Sequence, residues 1–352
     1  MSSEQVFDRK FEGIEDSYFQ QSLSQVYRAV LQQFRRVSAS FVFFNFLYLT
    51  LFVAELFLFL LFLPFLIQST WLAISLSGLF LTIFSYFVLQ FYFAAKKVEQ
   101  LVQLKEQLIA SCRQLAGSPD KGISHHLSIA AALSKLASYM EEFEWQFYRI
   151  PRYLQSLNRP LSSFSAFCHW QDVFRFKQLL LYAAIEEHMH QIRSTPTDLE
   201  VHASLANTYL ALSKLFIEPK RSPNPSAFRK KRASLETNFR IAARLAIDEF
   251  QILNYYAPND PWVHEQLSYG YRDLSLPEEE VKEIETLLQL RPQNHELLLR
   301  LGTIYFGQGL NAKGLKIYEE LKKSNHPKAE ELIEIYGKLA ASLPEISSAF
   351  SE

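Results

Sequence analysis

Cysteine is nearly absent: in 352 residues only Cys112 and Cys168 occur. Both fall in helical patterns and neither has metal-ligand spacing, so no disulfide framework or thiolate metal site is expected. Such usage fits a reducing compartment for the soluble part. A dominant charge is absent too. Lys and Arg number 36 against 37 Asp and Glu, so net charge names no partner. No phosphate loop, nucleophile elbow, zinc-ligand pattern or dinucleotide fingerprint occurs. These absences point away from enzyme chemistry and from a cofactor.

Charge is also missing from Trp71 to Ala95, and the run from Phe41 to Ile67 holds only Glu55. A hydrocarbon core is crossed by roughly 20 apolar helical residues, and each run is longer. Gln68, Ser69 and Thr70 alone separate them, just after Pro64. The pattern predicts a transmembrane helical hairpin, because helices apolar all round need lipid or a very large core. The first run starts too late and is too long for a cleavable signal peptide. Arg28, Arg35 and Arg36 precede the hairpin; Lys96, Lys97, Lys105 and Arg113 follow it. Basic flanks predict two spans with both termini cytoplasmic.

Glu55 falls near the midplane, where a charge costs about 2.5–3.5 kcal/mol. It reads as a carboxyl hydrogen-bonded to Ser77, Thr82 or a neighbouring copy, in a packing or oligomerising role. Ser75, Ser77 and Gly78 allow the close approach a homo-oligomer through the hairpin would use. The alternative from another class is a small oligomeric channel or transporter using Glu55.

Six segments follow from composition and periodicity. Residues 1–40 are a tail and an amphipathic juxtamembrane helix from Ser17, with Leu23, Tyr27, Val30 and Phe34 at helical spacing. Residues 41–95 are the hairpin. Residues 96–123 are a juxtamembrane helix and linker, broken by Gly117-Ser118-Pro119. Residues 124–195 are two long helices packing on a solenoid. The first is predicted over residues 124–157, with Ser124 as its N-cap, and closed by Asn158-Arg159-Pro160. The second, from about Ser162 to Arg193, carries Phe164, Phe167, Trp170 and Phe174 as expected core. Residues 196–340 are repeats with a basic insertion near 217–245 and a cap helix. Residues 341–352 are a tail.

The repeat is the most informative pattern. Aligned on Pro196, Pro258 and Pro292, Leu205, Leu267 and Leu301 coincide, then the small Ala206, Ser268 and Gly302, then Tyr209, Tyr271 and Tyr305. In the second helices Phe250, Ile284 and Tyr318 coincide, as do Leu253, Leu287 and Leu321. Ala246 and Gly314 share a small-residue slot that Glu280 occupies in the middle unit. From Leu298, Leu301, Gly302, Tyr305, Gly314, Tyr318 and Pro327, the last unit resembles the tetratricopeptide repeat (TPR) family, and the resemblance covers about residues 196–327. It implies an all-α protein: a transmembrane hairpin and helical bundle leading into a TPR-like α-solenoid, with Lys328 to Ala340 as the cap helix solenoids need.

The family implies a protein or peptide ligand in a groove lined by the first helices. By phase that groove holds Asn207 and Leu210, then Glu265, Tyr269, Arg272 and Asp273, then Leu299, Thr303 and Phe306. Ala203, Glu265 and Leu299 stand where a carboxylate clamp uses Lys, so that ligand type is not expected. Lys220, Arg221, Arg229, Lys230, Lys231 and Arg232 in the insertion suit anionic lipid headgroups. No nucleic-acid module surrounds them, so nucleic acid is not expected. Glu187 and His190 have the Glu-x-x-His spacing of di-iron bundles, but the second pair such sites need is missing, so no metal is expected. The reading is a membrane-anchored, cytoplasm-facing scaffold or assembly factor of a bacterium, not an enzyme. On topology alone the hairpin also resembles inclusion-membrane proteins of intracellular bacteria, which implies a secreted effector facing host cytosol.

Overall fold

The computed structural model describes residues 17–67, 70–116, 124–148, 158–217 and 232–342. Among these there are eleven α-helices and no strand, so the protein is all-α. The chain divides into two compact units.

The first unit holds residues 15–196 and 214–235. Its axis is a pair of long helices, α1 (Ser17–Leu66) and α2 (Trp71–Ala116). Helix α1 ends two residues after Pro64, which has no N–H to add to the ladder. Both helices are long and apolar enough to cross a membrane, and their most apolar stretches are not buried by the chain itself. A core helix of a soluble protein would be covered there.

Away from that stretch the same helices become amphipathic. Leu23, Tyr27, Val30 and Phe34 line one face of α1, and Leu101, Leu104, Leu108 and Cys112 one face of α2. Spacings of three and four put each set on one stripe. They face α3 (Ser124–Tyr139) and α4 (Asn158–Ser194), where Leu133, Leu136, Phe176 and Leu180 are buried, as is Met140 just after α3. Full burial of such side chains stabilises by about 1.5–3 kcal/mol each. Phe34 stacks on Phe176 at 5.1 Å, and the Tyr27 hydroxyl donates to the Ala132 carbonyl at 2.6 Å.

Two helix limits differ from the sequence expectation. The helix predicted through Leu157 ends at Tyr139, because Glu142 turns left-handed (φ 58°) and starts a 3₁₀ turn, Phe143–Gln146. Asn158-Arg159-Pro160 opens α4 instead of closing its predecessor. Proline fits a first turn, where no N–H is required. Phe164 and Phe167, expected in the core, are exposed, while Trp170 is buried.

The second unit holds residues 197–213 and 236–352. Helix α5 (Leu199–Ile217) enters it, followed by α6 (Arg232–Tyr256), α7 (Pro261–Asp273), α8 (Pro277–Leu290), α9 (His295–Gly307), α10 (Asn311–Lys323) and α11 (Lys328–Ser342). The pairs α7/α8 and α9/α10 begin 34 residues apart, helix for helix. Their first helices share one cap: Asp198, Asp260 and Asn294 each accept a backbone N–H two residues on. Such caps satisfy amides that the helix leaves open. The turns match too, with Ser275 and Gly309 in equivalent left-handed positions; glycine takes that conformation without steric cost.

The insertion in the first pair is smaller than the sequence suggests. Helix α5 runs on to Ile217 and α6 already starts at Arg232, so lengthened helices absorb most of the extra chain. Of the six cations, Arg232 is the exposed first residue of α6. Lys220, Arg221, Arg229, Lys230 and Lys231 lie outside the described residues.

Candidate functional site

The first helices of the repeats carry the predicted groove, and their positions follow from polar bridges in repeating slots. His202 of α5 meets Glu249 of α6, Nδ1 to Oε2, at 2.6 Å. His264 of α7 meets Glu283 of α8 in the same way at 2.6 Å, and its Nε2 donates to the Pro258 carbonyl at 2.8 Å. The third pair has Leu298 and Ile317 in these slots, both within its apolar packing. Between successive pairs the repeat tyrosine provides the bridge. Gln251 of α6 donates to the Tyr271 hydroxyl at 3.0 Å, and the Tyr305 hydroxyl donates to Glu285 of α8 at 2.7 Å. Burial and that carboxylate push the Tyr305 phenol up to about 12.

Glu280, the exception to the small-residue slot, is buried with a partner. Arg300 of α9 donates through Nε at 2.8 Å and through a terminal nitrogen at 2.5 Å to one Glu280 oxygen. It also reaches the Ser268 carbonyl at 2.9 Å and hydroxyl at 3.2 Å. A carboxylate is tolerated there because Ser268 is small and Arg300 neutralises it; charge-assisted bonds are the stronger kind. In the third pair Gly314 leaves room for the Phe306 ring, which a Cβ would overlap.

The structure gathers some predicted groove residues and removes others. Two guanidinium groups lie over the Tyr269 ring, Arg272 at 4.9 Å and Arg300 at 4.6 Å from its centroid. Its hydroxyl donates to Glu265 at 3.3 Å, and Arg272 pairs with Asp273 at 3.9 Å. Arg272 and Asp273 are exposed, so this cluster offers an aromatic ring edged by both charge signs. Asn207, Leu210 and Thr303 are half-buried, and the Thr303 hydroxyl turns back to the Leu299 carbonyl at 2.8 Å. Leu299 (8% exposed) and Phe306 (5%) are not groove walls. They belong to a core with Leu332 and Tyr336 of α11, which lies over the third pair and uses the surface a ligand would need.

Arg300 was not a groove candidate from sequence, nor were the His–Glu bridges. The signal was present: His202 and His264 share one repeat slot and Glu249 and Glu283 another. Only the packing shows that the two slots touch.

In the first unit Glu55 accepts from the Thr82 hydroxyl at 3.0 Å, joining the two apolar helices. Its Oε2 is buried without a partner among the described residues. Glu187 serves structure: it binds Arg113 at 2.8 Å and His126 at 2.6 Å. Burial raises its pKa, but these two partners outweigh burial and hold it below the usual carboxylate range. Among the described residues no group of three or more His, Cys, Asp or Glu could hold a metal.

No family model matches the chain and no curated protein matches its sequence. Among solved structures it is similar to a point mutant of MamA and to MamA MSR-1 C2, each at 17% identity and TM-score 0.31. These matches cover 60% and 61% of this chain and 94% of the other. A double mutant of MamA RS-1 matches at 16% identity and TM-score 0.21, over 49% of this chain and 94% of that one. At such similarity the repeat stands on its own packing.

Proposed function

We propose that the chain is a membrane-anchored, TPR-like scaffold whose repeat unit binds another protein, with no chemistry of its own. The carrying observation is the repeated pair: α7/α8 and α9/α10 recur at 34 residues with matching caps, turns and interhelical bridges. Such arrays present an extended face of first helices to partners. The most accessible recognition cluster on that face is Tyr269 with Arg272, Asp273 and Glu265, flanked by Asn207 and Leu210. The uncovered apolar stretches of α1 and α2 support insertion as a hairpin, with both flanks cytoplasmic. Anchoring raises the local concentration of the repeat for partners on the same membrane. Arg232 and the neighbouring insertion cations add attraction to anionic headgroups.

The test is capture of membrane-lysate proteins by the full-length chain beside a Tyr269→Ala, Arg272→Glu variant with unchanged melting. A partner held by the wild type and lost by the variant supports the reading; equal capture by both refutes this cluster as the contact. The unpartnered Glu55 oxygen keeps a second reading testable, a channel in which the hairpin oligomerises. Proton flux in vesicles that Glu55→Gln abolishes would favour it. Here Glu55 is read as a packing contact, and no such flux is expected.

A further inference from the structure

We propose that the start of α4 and the 3₁₀ turn beside it form a third membrane contact, an aromatic foot. Trp145, Phe164 and Phe167 would sit in the headgroup layer where α1 and α2 enter the bilayer. The proposal rests on the reading that these two helices span a membrane.

Two ion pairs set the register. Lys97 of α2 binds Asp172 of α4 at 2.8 Å, and Arg113 binds Glu187 at 2.8 Å. Lys97 to Arg113 rises about 24 Å and Asp172 to Glu187 about 22 Å at 1.5 Å per residue. Helix α4 therefore runs beside α2 in the same direction. The apolar run of α2 ends at Ala95, just before Lys97, so residues of α4 preceding Asp172 head toward the membrane. Phe167 and Phe164 lie about 8 and 12 Å back along the helix, level with Tyr92 and Leu89. The Ser165 hydroxyl donates to the Glu144 carbonyl at 2.6 Å, which holds the 3₁₀ turn that carries Trp145 against the start of α4.

That level has the chemistry of an interface. Both apolar runs exceed the roughly 20 residues that hydrocarbon requires, so their last turns are available to the headgroup layer. Those turns carry polar and aromatic side chains. The Tyr86 hydroxyl donates to Asn45 at 3.0 Å, and Lys96 sits 5.6 Å from the Tyr92 ring. Aromatic rings with polar edges collect at this depth.

The foot is ordered by its other face. Ser165, Ala166 and His169 are buried, and the His169 ring stacks on Phe147 at 3.7 Å. The outward side chains are then large and apolar: Trp145 is 37%, Phe164 47% and Phe167 61% exposed. Beyond this point the same face of α4 carries Gln171, Arg175 and Gln178 before the exposed Tyr182. Apolar exposure at the membrane end of α4, on the side toward the uncovered spans, matches a bilayer surface better than a protein groove.

The experiment uses the full-length chain in phosphatidylcholine–phosphatidylglycerol vesicles, with a fluorophore on one introduced cysteine. The sites are Phe164→Cys, Phe167→Cys, Tyr182→Cys and Leu58→Cys, each with Cys168→Ser. Buried Cys112 stays. Headgroup-brominated lipid should quench labels at 164 and 167 several-fold more than the label at 182, and aqueous iodide the reverse. The label at 58 should respond to acyl-chain bromines. If 58 is lipid-buried while 164 and 167 are as open to iodide as 182, the foot is refuted and the spans stand. If 58 is open to iodide, the spanning reading fails and the foot fails with it.

Discussion

At the residue scale, buried charge decides more than exposed charge. Glu280 and Arg300 share an ion pair in which the Glu280 side chain is almost fully covered. Removing one partner strands the other, and losses of about 3–5 kcal/mol are usual for that. Glu280→Ala should therefore lower stability far more than the double change Glu280→Ala, Arg300→Leu, where no charge is left behind. Denaturant melts of the full-length chain in detergent would show the difference; equal losses would mean the pair is already solvated. Acid acts on another buried group. Burial holds the His188 imidazole down to about 4, against the opposing pull of Glu187. Unfolded, a histidine titrates near pH 6.5, so between the two values only the unfolded chain carries the proton. Stability is then full above pH 6.5, falls as pH drops through it and levels off below about 4, by a limit of about 3 kcal/mol. Burial also holds His169 down to about 4, so His188→Gln should roughly halve the decline between pH 7 and 5 in the same melts.

At the element scale, α11 completes the repeat unit and also covers part of the face proposed to bind a partner. Leu332, fully buried, packs over Gly302 with Leu299 and Phe306 nearby. Truncating such a leucine costs about 2–5 kcal/mol. Leu332→Ala should loosen α11 first, seen as faster amide exchange across Lys328–Ser342 while α7 keeps its protection. Uniform loss of protection across both helices would mean that the repeats unfold as one block. The cap helix itself was readable, because an amphipathic stretch follows Pro327. Its consequence for Leu299 and Phe306 was not: helical phase puts a residue on a face but does not say whether the next helix lies over it. The same gap explains Phe164 and Phe167. Aromatic density predicts core on average, while their exposure depends on which side of α4 the neighbouring turn occupies.

At the scale of the molecule, the hairpin reading predicts topology. A cysteine at Thr70 should react with an impermeant maleimide only from one side of sealed vesicles, and one at Arg28 only from the other. Labelling of both from the same side would reject two spans. The all-α class, the apolar pair and the 34-residue period were legible in the sequence, because they depend on composition and spacing along one chain. Near-neighbour chemistry such as the Asp198, Asp260 and Asn294 caps is local, and the last two repeat with the same period. What only tertiary structure decided are meetings between residues far apart in sequence: Arg300 with Glu280, His202 with Glu249, Lys97 with Asp172, and Phe306 beneath α11. Each depends on crossing geometry and on which surface another helix covers. A linear pattern carries the faces of helices, and the choice of which faces meet belongs to the packed chain.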